Sequence, residues 1–232
     1  MTEREAFLDG LAAKSGRPRH QLQDHPLVPV NDLPETTLAD KTPAELAALA
    51  KQNSEAVHVR YQTTNTAGLP AALDAFIQAK AAKTLLLPTS DAYQRFGLED
   101  WRQQVQPVPT YWTPGAGREA NLKAAADADA AIGFADFLLA ESGTITAATT
   151  PGQGRAFHFL PTHYLAIIPA SRIVARSRQA ADWYDGEIKA GRLQTSNINF
   201  ITGPSNSGDI EMVLIVGVHG PLDMTYLVVT DR

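Results

Sequence analysis

An α/β fold built on a parallel sheet is what this sequence predicts, and three observations predict it. From Val57 onward, short β-branched and leucine-rich runs alternate with helical patterns, the rhythm of a parallel sheet covered on both faces. Tyr164 to Ile168 is an apolar run closed by Pro169 and reads as a fully buried strand. The 232 residues suit one α/β domain over 37–232 preceded by a 36-residue extension, in preference to two small domains.

The elements follow in order. Residues 1–16 read as a short surface helix, with Phe7, Leu8, Leu11 and Ala12 on one face and Gly16 as its stop. Pro18, Pro26, Pro29 and Pro34 remove backbone donors, so Arg17 to Pro34 reads as an extended arm. Leu22, Leu27, Val28 and Val30 give that arm apolar anchors for wrapping its own domain or the neighbouring subunit of a homodimer. At Thr42 a hydroxyl N-cap, Pro43 and Glu45 form a capping box that opens a helix to about Ala56. A strand near Val57 to Gln62, a helix near Pro70 to Ala82, a strand at Thr84 to Leu87 and a short helix around Asp91 to Phe96 come next. The second half continues with a helix at Glu119 to Ala128, strands at Ala130 to Ile132 and Phe137 to Ala140, a sharp turn at Gly143, and a strand at Thr144 to Ala148. After Pro169 come a helix at Arg176 to Ala190, a strand at Asn199 to Ile201 and a closing strand at Met224 to Thr230. Asp209 to Val216 fits a helix or a buried strand equally well.

Composition excludes several classes of function. With no cysteine, the chain has no disulfide, no thiolate zinc site, no thiolate-ligated iron–sulfur cluster and no thiol nucleophile. A net charge of −5 without a dense basic stripe argues against nucleic acid and anionic membrane as partners. Charges interrupt the opening MTEREAFLDGLAAK, and the longest apolar run, Val213 to Val218, is far short of the roughly 20 residues of a membrane span; a cytoplasmic protein is expected.

Four segments carry polar groups suited to chemistry. In GFADFLLAESGTIT, Glu141 ends an apolar strand and is expected at a sheet's carboxyl edge as a general base or covalent nucleophile, with Ser142, Gly143 and Thr144 around it. The alternative is a turn glutamate that caps backbone amides. In ITGPSNSGDIE, Gly203, Ser205, Ser207 and Gly208 build a polar corner that would favour an anion if a helix starts at Gly208. Asp209 and Glu211 repel an anion there, and with His219 they offer a hard-metal or proton-relay reading that no diagnostic ligand spacing supports. In PGQGR, Arg155 is the best anion partner, although the glycines also suit a plain hairpin loop. In GVHGP, His219 is the residue type for proton transfer, or a structural hydrogen-bonding group. His158 and His163 read as local structure. There is no GxSxG elbow, Walker loop or strand-linked GxGxxG, so hydrolase, P-loop and dinucleotide readings lose their usual support.

Taken in order, IGFADFLLAESGTI, LPTHYLAIIPASRIV and ITGPSNSGDIEMVLIVGVHGP resemble the LUD-domain family, most closely its LutC (YkgG) branch. The resemblance covers Ala128 to the C-terminus and, more loosely, the region from Thr42. It implies a three-layer α/β architecture similar to the NagB/RpiA/CoA-transferase group. It also implies a part in oxidising L-lactate to pyruvate, beside LutA-like and LutB-like partners that carry the iron–sulfur clusters. A chain without cysteine is then the cluster-free member, expected to bind a small anionic metabolite or nucleotide, and no cofactor is named by the resemblance. Kinship with CoA transferases makes a glutamate nucleophile at Glu141 the competing reading, and a sugar-phosphate or nucleotide binding module a third. Glu141, Gly143, Asp209, Glu211 and His219 match the family pattern. Asn206 stands where a basic residue is expected, and in Thr162-His163-Tyr164 the histidine is displaced by one position, so the ligand here is open.

Overall fold

The computed structural model describes residues 2–19, 28–208 and 214–232, and its backbone divides into two units, residues 1–36 and 37–232. The first holds α1 (Glu3–Lys14) and α2 (Leu33–Thr36). Thr2 caps α1 by accepting the N–H of Glu5, and Arg19 pairs with Glu5 and Asp9. The expected apolar face of α1 is not covered: none of its residues is buried. Leu22 and Leu27 of the arm lie outside the described residues.

The second unit begins with α3 (Pro43–Ala56), whose capping box between Thr42 and Glu45 is formed in both directions. There follow β1 (Val59–Thr64), α4 (Leu69–Ala79), β2 (Leu85–Pro88), α5 (Ala92–Arg95), α6 (Glu99–Gln104), β3 (Thr110–Trp112), α7 (Arg118–Ala126) and β4 (Ala130–Phe134). Then come β5 (Phe137–Leu139), β6 (Thr144–Ala148), α8 (Arg155–Phe159), β7 (His163–Pro169), β8 (Ile173–Val174) and α9 (Ser177–Lys189). The unit closes with β9 (Ile198–Ile201), β10 (Asn206–Gly208), β11 (Leu214–Val216) and β12 (Asp223–Val229).

Six strands form one sheet in the order β1-β12-β7-β4-β2-β3, and every neighbouring pair is parallel. Successive side chains on these strands enter different cores, as the two-residue period of a strand requires. Leu85, Leu87, Ile132, Leu165, Ile167 and Leu227 pack with Leu69, Leu73 and Phe76 of α4, Tyr93 of α5 and Trp101 of α6. Leu86, Ala131, Tyr164, Ala166, Ile168 and Tyr226 pack on the other side with Ala50 of α3, Ala125 of α7 and Phe157 of α8. Both faces are thus buried, which is why these strands read as continuous apolar runs.

The parallel rhythm does not extend through the second half. β5, β6 and β9 leave the main sheet and, with β8, build a second sheet in the order β8-β5-β6-β9. The cause is length: only Ala140 to Gly143 separate β5 from β6, enough for an antiparallel hairpin and far too few for a parallel crossover. One side of this sheet adds Leu138, Ile145 and Ile201 to the core behind the main sheet. Its other side lays Phe137, Leu139 and Ala148 against Ala180 and Tyr184 of α9.

Candidate functional site

The crossovers define where a ligand site belongs. α4, α5 and α6 connect β1 to β2 and β2 to β3 across one face, whereas α7 and α8 make the later connections across the other. The carboxyl ends of β2 and β4 therefore diverge at the topological switch point, where open α/β sheets hold their ligands. β2 and β4 pair only at Leu85 with Ala130 and Leu86 with Ala131.

In this chain the gap is filled from within. The amide N–H of Thr89 donates to the carbonyl of Gly152 (2.9 Å). Gln153 then acts as a substitute strand for β4: its Nε2 donates to the Phe134 carbonyl (2.8 Å) and its Oε1 accepts the Phe134 N–H (3.0 Å). Both glycines of PGQGR are needed for this insertion. A Cβ on Gly152 would stand 1.8 Å from the Thr89 carbonyl oxygen, and one on Gly154 would stand 2.2 Å from the Trp112 ring. The hairpin-loop reading of this motif is realised, with a bridge between Thr150 and Gln153, and its glycines serve packing.

The residues that flank this plug, Thr150, Pro151 and Gly154, line a cavity of about 800 Å³. Trp112 at the end of β3, Arg118 and Leu122 of α7, Thr149 and Thr150, Arg155 and Phe159 of α8, and His219 complete its wall. Neither Arg118 nor Arg155 is drawn into an ion pair among the described residues. The Arg155 guanidinium lies 5.9 Å from the centre of the Phe159 ring. Two arginines with no ion pair among the described residues, lining one cavity with Trp112 and Phe159, suit an anion that also carries apolar surface. A second cavity, of about 640 Å³, offers Asp74 and Asp100 and, among the described residues, no cation. A third, of about 470 Å³, includes Lys80, whose ammonium is taken by Asp223 at 2.8 Å.

The residues expected from sequence fall into separate groups. Arg155 and His219 share the cavity. Ser205 stands behind it: its Oγ accepts the His219 N–H (3.1 Å) and its carbonyl accepts the Gly217 N–H (2.9 Å), so it braces the loop that carries His219. Ser207 lies in β10 opposite Ile215, and Gly208 opposite Leu214. The helix start imagined at Gly208 is therefore replaced by a strand end, since the β-branched Ile215 and Val216 favour a hairpin. Asp209 and Glu211 lie outside the described residues.

Glu141, Ser142, Gly143, Thr144 and Gly203 gather elsewhere, beside the C-terminal half of α3. Glu141 is not at the carboxyl edge of the parallel sheet but in the β5–β6 turn. β6 separates that turn from Thr149 at the cavity by five residues, roughly 17 Å at about 3.3 Å per residue. Glu141 Oε2 accepts from Arg176 Nε (2.6 Å) and Oε1 accepts the N–H of Ser177, the first residue of α9 (2.9 Å). That is the amide-capping geometry, with both oxygens engaged. The hydroxyl of Ser142 donates to Thr144 Oγ1 (2.8 Å), which lies 2.7 Å from Thr202 Oγ1. Gly143, at φ +65°, leaves room for the α3 backbone, where a Cβ would come 2.5 Å from the Ser54 nitrogen. Gly203 likewise sits against the Val57 carbonyl. Glu141→Ala is expected to cost about 1–2 kcal/mol in urea denaturation, and Glu141→Gln, which keeps an acceptor, less than half of that.

Trp112, Arg118, Leu122 and Phe159 belong to no motif and were missed from sequence. β3 and α8 are too short for their periodicity to be read, although Thr110-Tyr111-Trp112 is a run of strand-favouring residues. His158 and His163 are structural, as expected. His158 is fully buried with Nδ1 2.8 Å from the Tyr164 hydroxyl. His163 Nδ1 meets Asp223 Oδ2 at 2.7 Å, at the start of β7 and β12.

The LUD domain model matches residues 47–229. "Lactate utilization protein C" of Geobacillus kaustophilus (strain HTA426) is 40% identical over 235 aligned residues, covering 99% of this chain and 97% of that protein. The protein of the same name from Bacillus subtilis (strain 168) is 36% identical, covering 98% of this chain and 96% of that protein. A crystal structure of a DUF162 family protein from Deinococcus radiodurans shares the fold, with a TM-score of 0.59, 19% identity, and coverage of 82% of this chain and 99% of that one. The chain belongs to the LUD-domain family. Among the described residues no helix is long and apolar enough to cross a membrane.

Proposed function

We propose that this chain serves L-lactate utilisation, the oxidation of L-lactate to pyruvate, beside LutA-like and LutB-like iron–sulfur partners, and contributes a site for a small anionic ligand. The observation that carries this reading is the 35–40% identity, along nearly the whole chain, to proteins named for lactate utilisation. Two features support the division of labour. The absence of cysteine leaves thiolate-held clusters to partners, and among the described residues the cavity is lined by two arginines, Arg118 and Arg155, and by no carboxylate.

Deleting the gene, in a strain without a paralogue, is expected to abolish growth on L-lactate while leaving growth on glucose unchanged. A tagged copy is expected to retain cluster-bearing proteins, seen as iron and acid-labile sulfide in the eluate. Normal growth of the deletion strain on L-lactate overturns the reading.

A further inference from the structure

The cavity has room for a much larger molecule than the one that gives the relatives their name. A three-carbon hydroxy acid has six non-hydrogen atoms. At about the 30 Å³ that one water occupies, these fill about 180 Å³, less than a quarter of the roughly 800 Å³ present. On the same scale a mononucleotide of some twenty-three such atoms takes about 700 Å³. Volumes of about 300–1,000 Å³ are those of sites for drug-sized ligands and cofactors.

The wall chemistry points the same way. A lactate or pyruvate site needs one cation and hydrogen-bond donors packed closely around three carbons. Here the two guanidinium groups, Arg118 and Arg155, accompany two half-buried aromatic side chains, Trp112 and Phe159. Phosphate suits arginine because the planar fork can bond two of its oxygens. Aromatic faces suit a flat heterocycle, whose stacking on such a ring contributes about 1–3 kcal/mol per base in other systems. Thr149 and Thr150 lie along the same wall, with the Thr149 hydroxyl already accepting from Asn197 and Asn199 and that of Thr150 from the Gln153 N–H. Access is also one-sided, because the plug formed by Gly152 and Gln153 closes the ordinary switch-point crevice. A ligand is thereby directed to the outer wall that Trp112 and Arg155 share.

Resting on the anionic-ligand reading of this cavity, we infer that its occupant is a nucleotide-class molecule, a flat heteroaromatic ring bearing phosphate, and that lactate is not bound there. The test uses the full chain with AMP, FMN, inorganic phosphate, L-lactate and pyruvate as probes. Binding is followed by tryptophan emission and by thermal melting at near-physiological salt. AMP or FMN is expected to bind in the micromolar range, to quench emission and to raise the melting temperature, whereas phosphate, L-lactate and pyruvate bind at least about a hundredfold more weakly.

Trp112→Leu is expected to remove most of the quench, because Trp101 is buried under its bond to Asp74 and Trp183 packs on Phe137. Arg155→Ala, at an exposed position that leaves the cores intact, is expected to weaken nucleotide binding about tenfold and to reduce its salt dependence. The inference is overturned if neither nucleotide binds at about 1 mM, if phosphate or lactate binds as tightly, or if both variants bind as the wild type does. Growth is scored separately. Normal growth on lactate with nucleotide binding intact removes the lactate role and keeps the ligand class, and lost growth without nucleotide binding removes the ligand class alone.

Discussion

Gly152→Ala is expected to lower stability by about 3–5 kcal/mol, because among the described glycines it is here that an added methyl meets the closest backbone. The added carbon would stand 1.8 Å from the Thr89 carbonyl oxygen, and both partners are backbone. Neither can yield cheaply. Thr89 is tied to Gly152 through its own N–H, and the next residue is held to β4 by two side-chain bonds. Expelling the plug loses three hydrogen bonds, about 1 kcal/mol each, and reopens the space between β2 and β4. Urea denaturation reads the loss, and nucleotide binding should fall with it because the residues on either side of the plug, Pro151 and Gly154, line the cavity. Gly186→Ala is the control: it lies within α9 with nothing inside 4 Å of the added carbon, and it should stabilise by about 0.5–1 kcal/mol. A wild-type-like Gly152→Ala protein would contradict the packing described.

Acid should destabilise the fold through His158 before the ordinary carboxylates titrate. Burial pushes this imidazole down to about 3, and its Nε2 has no hydrogen-bond partner among the described residues. The unfolded chain takes up a proton near pH 6.5 that the folded chain refuses. The contribution is thus fully present above pH 6.5 and is lost as pH falls from there toward 3. Between pH 7 and 4.5 the loss amounts to about 2.5 kcal/mol. Asp136 acts in the opposite sense, since burial raises its pKa, so wild type is compared with His158→Gln, in which Asp136 is unchanged. The variant starts from a lower level if the bond to Tyr164 is weakened; the quantity that matters is its flatter slope over this range. Parallel slopes would show that His158 is not the group responsible.

Several elements were legible because the signals for them are local. The capping box at Thr42 and Glu45 depends on four consecutive residues, and it forms as expected. The buried strands β2, β7 and β12 show as apolar runs because each is flanked by helices or a second sheet on both sides. Short elements escaped, since three residues in β3 or five in α8 contain no full period to detect. Sheet membership escaped as well. β5 and β6 look like any other strands, and only the brevity of the turn between them, together with pairing to β8 and β9, removes them from the parallel sheet.

For the site the division is sharper. Arg155 and His219 were visible as polar residues in glycine-rich corners, and the cavity contains both. Glu141 looked equally suited, yet the hairpin carries it to the far end of β6, where Arg176 and Ser177 occupy its oxygens. Trp112 and Arg118 gave no sign, because a residue joins a cavity through neighbours remote in sequence. By itself, the sequence determined the class of fold, the capped and buried elements, the family and the absence of any cysteine to hold a cluster. Which polar groups share one space was decided only by tertiary structure. Convergence depends on how strands far apart in the sequence, from Leu86 with Thr110 to Val59 with Met224, are ordered and crossed over, and that is set by burial on both faces of the sheet, to which no short motif is sensitive.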